Sequence, residues 1–160
     1  MQGQTEYSGG CQCGAVRFQV RGEIPESSIC HCRMCQKAFG GHYAPLVSVR
    51  GVQFAWTRGA PRHFQSSNLV RRGFCADCGT PLTYEAPNGT AVAAGAFDQP
   101  ERLPPQRQYG IEARLPFLGT LAALSATRTE EDIESTEYLS RLVSHQHPDH
   151  DTPHWPPQSR

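Results

Sequence analysis

A cysteine-rich stretch at residues 75–79, Cys75-Ala76-Asp77-Cys78-Gly79, decides what fold to expect. Two cysteines separated by two residues and followed by glycine are typical of a metal knuckle, a tight turn that points both thiolates at one ion. One such pair alone is a weak signal. Metal ligation becomes a strong prediction because every other cysteine also lies in a tight group. Those groups are Cys11-Gln12-Cys13 and Cys30-His31-Cys32-Arg33-Met34-Cys35.

Seven cysteines are an odd number, and the first ten residues, MQGQTEYSGG, lack the basic cluster and apolar run of a secretory signal. The expected compartment is therefore the cytoplasm, where thiols stay reduced. A disulfide framework is disfavoured, and metal ligation or thiol chemistry is favoured.

The composition predicts one globular domain without a membrane segment. The chain has 160 residues, 38% of them hydrophobic and 19% charged, and no apolar run approaches the roughly 20 residues of a membrane span. The formal net charge is zero, which argues against a nucleic-acid partner held by bulk electrostatics. The half that contains the cysteines, residues 1–80, is nevertheless basic, with nine basic and four acidic side chains.

Alternation of apolar and polar residues predicts short antiparallel strands in the first hundred residues. Val16, Phe18 and Val20 form one such set, and residues 52–56 form another. Further strands are predicted at 43–49, 63–65, 82–84 and 90–94. Since proline cannot donate to a strand ladder, Pro45 predicts that its strand lies at a sheet edge or contains a bulge.

Two segments are predicted to be helical. Residues 33–39 would form a short helix that ends at Gly40-Gly41. Residues 129–144 show apolar residues at helical intervals, namely Ile133, Tyr138, Leu139, Leu142 and Val143. The proline-rich residues 99–108 are predicted to be a connection, and the tail 146–160 either drapes over the domain or is disordered. We therefore divide the chain into a zinc-binding β domain (1–128) and a C-terminal helix with a Pro/His-rich tail (129–160).

Coordination number suggests how the cysteines divide. Structural zinc takes four tetrahedral ligands, whereas catalytic zinc takes three protein ligands and keeps an open position. Residues 30–35 place three thiolates within six positions, so Cys30, Cys32 and Cys35 (the three-cysteine site) are predicted to hold a catalytic zinc. The remaining cysteines (the four-cysteine site) are predicted to close a structural zinc site: Cys11, Cys13, Cys75 and Cys78.

An open position on the second zinc would admit a thiol, a water or a carbonyl oxygen. A zinc-bound thiol loses its proton and becomes a nucleophile at neutral pH. Two other interpretations of Cys30, Cys32 and Cys35 stay open, an empty or oxidised thiol cluster and a zinc without catalytic activity. A non-catalytic zinc module that binds a protein partner is the corresponding alternative function.

Four stretches between residues 8 and 98 resemble the glutathione-dependent formaldehyde-activating enzyme family, which includes centromere protein V. They read SGGCQCGAVRF, CHCRMCQKAFGG, RRGFCADCGTPLTYE and AAGAFD. The resemblance implies a mainly β fold of several small antiparallel sheets around a structural zinc, with the same division of the seven cysteines. It also implies a carbon–sulfur lyase-type reaction in which a small thiol such as glutathione adds to formaldehyde, giving S-hydroxymethylglutathione. Beyond Asp98 the chain departs from the family pattern, with Tyr109-Gly110 and Phe117 where the family has a His-Ile pair and a Trp.

The histidines offer weaker candidates. His31 lies between two predicted ligands, but the middle residue of Cys-x-Cys usually points away from the metal. His42 and Tyr43 follow the cysteine loop closely enough to line its pocket and assist proton transfer, although a histidine satisfied by backbone is more common. The histidines of the tail, from His145 to His154, resemble a metal site, but tails of this composition more often pack as loops.

Overall fold

The computed structural model describes residues 5–155, except for the side chains of residues 133–135. These residues form ten strands: β1 (Glu6–Gly10), β2 (Arg17–Arg21), β3 (Glu26–Cys30), β4 (Ala44–Ser48), β5 (Gln53–Arg58), β6 (Arg62–Gln65), β7 (Arg71–Phe74), β8 (Pro81–Ala86), β9 (Gly89–Ala93) and β10 (Arg107–Tyr109). Two α-helices accompany them, α1 (Arg33–Phe39) and α2 (Thr129–Ser135). Short 3-10 helices cover Ala94–Ala96, Pro100–Arg102, Ile111–Ala113, Pro116–Ala123 and Glu137–Arg141.

The strands form two sheets. The smaller has the order β1-β2-β5, and the larger has the order β10-β3-β4-β9-β8-β7-β6. Neighbouring strands are antiparallel except for β10, which pairs parallel with β3. The predicted mainly β fold with antiparallel sheets and a short helix near the C-terminus is therefore confirmed.

The core joins the two sheets, and the predicted alternation of β2 explains how. Phe18 and Val20 are fully buried and meet Val47, Leu82 and Val92 of the larger sheet in one cluster. Aromatic rings close the other side of Phe18, whose centroid lies 5.0 to 6.0 Å from three neighbours. Offset and edge-to-face pairs of this kind add to the stabilisation that burial provides.

Helix α1 agrees with its prediction. It begins after Cys32, whose sulfur accepts a hydrogen bond from the Cys35 N–H, and it ends at Gly40. Gly40 has φ of 60° and donates its N–H to the last carbonyls of the helix. Because side chains disfavour this left-handed conformation, glycine is the residue that ends the helix at low cost.

The prediction that the strand of Pro45 lies at a sheet edge or contains a bulge is wrong. Strand β4 lies inside the larger sheet, between β3 and β9. Pro45 pairs with Ile29 of β3, but the pairing with β9 begins only at Leu46. The missing N–H of Pro45 therefore costs no bond to β9, and an interior strand tolerates the proline.

The continuous helix predicted over residues 129–144 is also wrong. Helix α2 ends at Ser135, and the backbone of Thr136 leaves the helical region before a 3-10 helix begins. Tyr138, Leu142 and Val143 are all at least 60% exposed. A helix in a protein gains most of its stability by packing an apolar face, and these side chains find no core to pack on. The side chain of Ile133 lies outside the described residues.

Four strands are absent from the prediction: β1, β3, β7 and β10. Their sequences are EYSGG, ESSIC, RRGF and RQY, which carry few apolar residues and no clear period of two. These strands form because they pair with neighbouring strands in the folded protein. Strand β10 begins within the segment predicted to be a connection. Propensity is a weak guide for strands of this kind.

The described part of the tail drapes over the domain, which is one of the two predicted outcomes. The His147 N–H donates to the Gln12 carbonyl at 2.7 Å, and the Trp155 indole N–H donates to the Cys13 carbonyl at 2.7 Å. Residues 156–160 of this prediction lie outside the described residues, and the division of the chain at residue 128 stays a prediction. Across residues 5–155, the helices are all too short or too polar to cross a bilayer.

Candidate metal centre

The four-cysteine site joins two distant parts of the chain. Cys11 and Cys13 follow β1, whereas Cys75 and Cys78 lie in the turn between β7 and β8. The four sulfurs lie within 4.8 Å of one another, with 3.6 Å between Cys11 and Cys13 and 3.8 Å between Cys13 and Cys75. A tetrahedron with Zn–S bonds of about 2.3 Å has S···S edges of about 3.8 Å. These spacings fit a tetrahedral zinc and are far longer than the roughly 2.05 Å of a disulfide.

A tight turn presents the sulfurs of Cys75 and Cys78. The Cys75 N–H donates to the Thr80 carbonyl, and the Gly79 N–H donates to the Cys75 carbonyl, both at 3.0 Å. Gly79 has φ of +78°, a conformation that few other residues adopt without strain. This backbone conformation explains why a glycine follows the second cysteine of the Cys-x-x-Cys motif.

The three-cysteine site lies where β3 passes into α1. Cys30 is the last residue of β3, Cys32 precedes the helix and Cys35 lies in its first turn. The three sulfurs lie within 4.8 Å of one another, and all seven cysteines are free thiols. The division into four and three ligands is the one that the coordination argument predicts, and both groups could hold a metal ion.

Cavities lie beside both sites: one of about 450 Å³ is lined by Cys11 and Cys78, and the larger lies at the three-cysteine site. A cavity of about 880 Å³, here called the main cavity, opens beside the three-cysteine site. All three of its cysteines line the wall, together with Arg72 and Tyr84. Its size lies in the range of small-molecule sites. At the four-cysteine site Cys11 and Cys75 are almost completely buried, as expected of a closed structural site.

Arg72 is the cation that contacts the three-cysteine site. Its Nη2 donates to the Cys35 sulfur at 3.4 Å, and both groups are buried. Arg33 and Lys37 flank these cysteines in the sequence, but the guanidinium of Arg33 contacts Gln36 instead. The sequence gives little sign of this role, because Arg72 is one of two consecutive arginines and reaches Cys35 only through the packing of β7 near α1.

Burial raises the pKa of the cysteine thiols, whereas hydrogen bonds donated by Arg72, Thr80 and backbone amides lower it. Burial raises the pKa of the Cys35 thiol to about 12, although the hydrogen bond from Arg72 opposes the increase. Burial also raises the pKa of Cys13 to about 12. At Cys78 burial is outweighed by hydrogen bonds from the Thr80 hydroxyl and from backbone amides, so its pKa falls to about 6. Because zinc binds thiolates, occupancy of either site requires the release of protons and depends on pH.

The histidine candidates lie away from the cysteines. The His31 ring is buried and its Nε2 lies 2.9 Å from the Gln108 side-chain oxygen, in agreement with the prediction that it points away. His42 packs against Phe117 with 5.1 Å between ring centroids. Neither His42 nor Tyr43 lines the main cavity, so the prediction that they line the pocket of the cysteine loop is wrong. Within residues 5–155 the groups able to hold a metal are the two cysteine sites.

The family model for the glutathione-dependent formaldehyde-activating enzyme matches residues 6–112, a segment that contains both cysteine sites. The chain belongs to this family. The resemblance seen in the sequence motifs is thereby confirmed. Members of the glutathione-dependent formaldehyde-activating enzyme family are linked by name to glutathione and formaldehyde, which are the thiol and electrophile that the resemblance implies.

One curated protein and one solved structure are similar to this family member. An uncharacterized lyase of Schizosaccharomyces pombe is 29% identical over 84 residues, which are 52% of this chain and 61% of that protein. The chain therefore spans about 61% of the length of this curated relative. A solved structure of a Rhodobacter sphaeroides protein has 21% identity and a TM-score of 0.48, covering 63% of this chain and 98% of that one.

Proposed function

We propose that the protein is a zinc-dependent carbon–sulfur lyase-type enzyme that joins a glutathione-like thiol to formaldehyde or another small electrophile and catalyses the reverse cleavage. The proposed reactive centre is the three-cysteine site, with Cys30, Cys32 and Cys35 as zinc ligands. The four-cysteine site is proposed to hold a structural zinc that stabilises the fold.

The observation that carries this proposal is the position of the three sulfurs on the wall of the main cavity. Three ligands leave zinc a position for substrate, and a zinc-bound thiol is deprotonated at neutral pH. The four-cysteine site has a full ligand set and two almost completely buried cysteines. Only the three-cysteine site therefore combines an incomplete ligand set with space for a peptide-like thiol.

The residues around the main cavity suit an anionic thiol. Arg72 places a positive charge beside the three sulfurs, and Arg50 lines the same cavity. These charges offset part of the negative charge of a cluster of three thiolates and attract a carboxylate-bearing thiol. Tyr84 lies under the Arg72 guanidinium, 5.0 Å from it, and helps to hold that charge in place.

Metal analysis and a serine variant test the proposal. Purified under reducing conditions, the wild-type protein should contain two zinc ions per chain, and C32S should keep the fold and one zinc. The thiol addition also proceeds without an enzyme, so exchange between ¹³C-formaldehyde and S-hydroxymethylglutathione should be measured by NMR above that background. Exchange at the wild-type rate in C32S would remove the enzymatic interpretation.

Cobalt substitution separates catalysis from a purely binding role. With Co²⁺ at both sites, glutathione should change the visible spectrum if its sulfur enters the coordination shell. C32S is the matched control, because it retains the four-cysteine site and should show no change. A wild-type spectrum that does not respond to thiol or aldehyde would favour a non-catalytic zinc module that binds a protein partner.

A further inference from the structure

The backbone of His31, the residue between Cys30 and Cys32, is held on both sides. The His31 N–H donates to the Tyr109 carbonyl at 2.8 Å. The His31 carbonyl accepts a hydrogen bond from the Gln36 side-chain amide at 2.7 Å. These two groups belong to the two peptide units that join one cysteine to the other, so both peptide units are fixed by residues outside the cysteine loop.

Gln36 is buried in helix α1, directly after the last cysteine of the site, and is 4% exposed. A side-chain amide carries two N–H donors, and Nε2 of Gln36 donates both to the His31 carbonyl and to the Ala113 carbonyl, the latter at 3.1 Å. Its Oε1 accepts from the Arg33 guanidinium at 3.1 Å. Because each end of the amide has partners, the orientation of the amide is fixed, and it holds the His31 carbonyl in place.

Residues 108–113, here called the strap, contact the cysteine loop at several further points. The Gln108 side-chain oxygen lies 2.9 Å from Nε2 of the buried His31 ring. Gly110 has φ of +63° and lies against Cys32, since an added Cβ would lie 2.9 Å from the Cys32 backbone nitrogen. Together with the two carbonyls named above, these contacts join the strap to the loop from one end of the strap to the other.

Contacts of this kind matter for metal binding because the ligands need not be ordered when the ion arrives. Ordering a free loop on binding costs free energy that is subtracted from the affinity. The three sulfurs already lie within 4.8 Å of one another, and the loop that carries two of them is held by hydrogen bonds of its neighbours. Groups that orient metal ligands typically change metal affinity by about 10–100-fold.

We propose that Gln36 is a positioning residue that, together with the strap, keeps Cys30 and Cys32 in ligating position before the metal binds. The proposal rests on the proposed function, because it concerns the zinc that the three-cysteine site is proposed to hold. Gln36 acts through the peptide unit between His31 and Cys32 and contacts neither metal nor substrate. Its loss should therefore weaken metal binding at the three-cysteine site and leave the four-cysteine site unchanged.

The test compares Q36M and G110A with S27A. Q36M removes both N–H donors at similar side-chain volume, and G110A moves the strap away from Cys32 without a change in helix α1. Ser27 is 5% exposed and its hydroxyl donates to the Leu103 carbonyl at 2.9 Å. S27A therefore loses a buried hydrogen bond from a side chain to a carbonyl, as Q36M does, but outside the cysteine loop and the strap.

Cobalt titration measures the affinity of the three-cysteine site without turnover. Each protein would be prepared with one zinc per chain, which the four-cysteine site should retain, and C32S gives the spectral baseline. The cobalt dissociation constant should rise at least about tenfold in Q36M and G110A, whereas S27A should bind like wild type. Excess zinc should restore most of the exchange activity of Q36M, because its reactive centre is intact once the metal is bound.

Several results would overturn the proposal. Wild-type cobalt affinity in Q36M is one, and if Q36M does not fold, G110A is judged by the same criterion. An equal loss of affinity in S27A is another, because the effect would then follow general stability. If Q36M and G110A both lose the zinc of the four-cysteine site and their circular dichroism, the contacts support the whole fold and not this site. Exchange that stays low in zinc-saturated Q36M would also overturn it.

These outcomes stay separate from those of the proposed function. If wild type binds the second ion but shows only the background exchange, the proposed function fails, and the role of Gln36 is still decided by the cobalt affinities. If wild type is active and Q36M binds cobalt as tightly as wild type, the proposed function stands and the role of Gln36 fails.

Discussion

The most buried ion pair among residues 5–155 provides a quantitative test. Arg17 of β2 is 2% exposed and donates two hydrogen bonds to Asp98, at 2.8 and 2.6 Å. It also donates to Asp151 of the tail, at 3.0 and 2.7 Å. The two carboxylates differ in exposure, since the side chain of Asp98 is 7% exposed and that of Asp151 is 50% exposed. They should therefore contribute very differently to stability.

D98N should lower the free energy of unfolding by about 3 kcal/mol. Removal of one partner of a buried pair costs roughly 3–5 kcal/mol because the other charge stays buried. The lower end applies because Asp151 remains beside Arg17. D151N should cost at most about 1 kcal/mol, since a half-exposed pair is screened by water and ions. Arg17 itself keeps its better partner in that variant.

The pKa of Asp98 adds a pH test with a defined sign. Burial raises this pKa, but the hydrogen bonds from Arg17 and Ser8 and the charge of Arg17 outweigh it, so the pKa lies below its usual value. A carboxyl group with a lowered pKa in the folded state stabilises the protein above its unfolded pKa, about 3.9. That contribution is lost as the pH falls through the folded pKa. The difference between wild type and D98N should therefore shrink below about pH 4.

Urea unfolding at a fixed concentration of free zinc would measure these differences, because bound metal shifts apparent stability by mass action. All three proteins should be compared at pH 7, and wild type and D98N again at acidic pH. Equal losses in D98N and D151N would refute the argument from burial. A D98N loss that grows on acidification would refute the sign of the pKa argument.

The remaining predictions concern the four-cysteine site and the C-terminal tail that packs against it. C75S should fail to fold at 37 °C or lose most of its stability, because zinc contributes about 10 kcal/mol or more in small structural sites. Circular dichroism together with zinc analysis would measure this loss. As a control, a serine in the three-cysteine site should leave the fold intact. A chain that ends at Ser144 should lose zinc to a chelator about 30-fold faster, since two hydrogen bonds from the tail to backbone carbonyls are worth roughly 1 kcal/mol each and every 1.4 kcal/mol is about a factor of ten. Unchanged release would mean that the tail does not protect the site. G14A should lower the free energy of unfolding by the roughly 1–3 kcal/mol of a strained backbone and by the cost of a steric clash in addition. Gly14 has φ of +82°, and an added Cβ would lie 2.2 Å from the His147 ring. G95A, where an added Cβ meets nothing within 4 Å, is the matched control, and equal thermal shifts in the two would contradict the steric argument.

The cysteine sites could be predicted because their geometry is largely local. Ligand pairs two or three residues apart are brought together by a single turn, and coordination number then divides seven sulfurs into four and three. Helix α1 was predictable for the same reason, since its end depends on one glycine, Gly40, in a left-handed conformation. Information of this kind is contained in a few consecutive residues.

The contacts that the sequence did not reveal are long-range. Arg72 reaches Cys35 across 37 positions, and His147 reaches the loop of Gln12 from the far end of the chain. Nothing in the local pattern marks either residue, because each acquires its role only when strands pair. The predicted helix over residues 129–144 was wrong for a related reason, as helical spacing alone does not supply a surface for the apolar face.

Strand β7 links the two cysteine sites through the backbone. It carries Arg72, which contacts Cys35, and it ends at Phe74, directly before Cys75 of the four-cysteine site. Gly73 lies between them in close contact with β8, since an added Cβ there would lie 2.3 Å from the Thr83 hydroxyl. A zinc that fixes Cys75 therefore also fixes the strand that positions Arg72. If the four-cysteine site holds a structural metal, as proposed, that metal would also fix the position of Arg72 beside the main cavity without touching substrate.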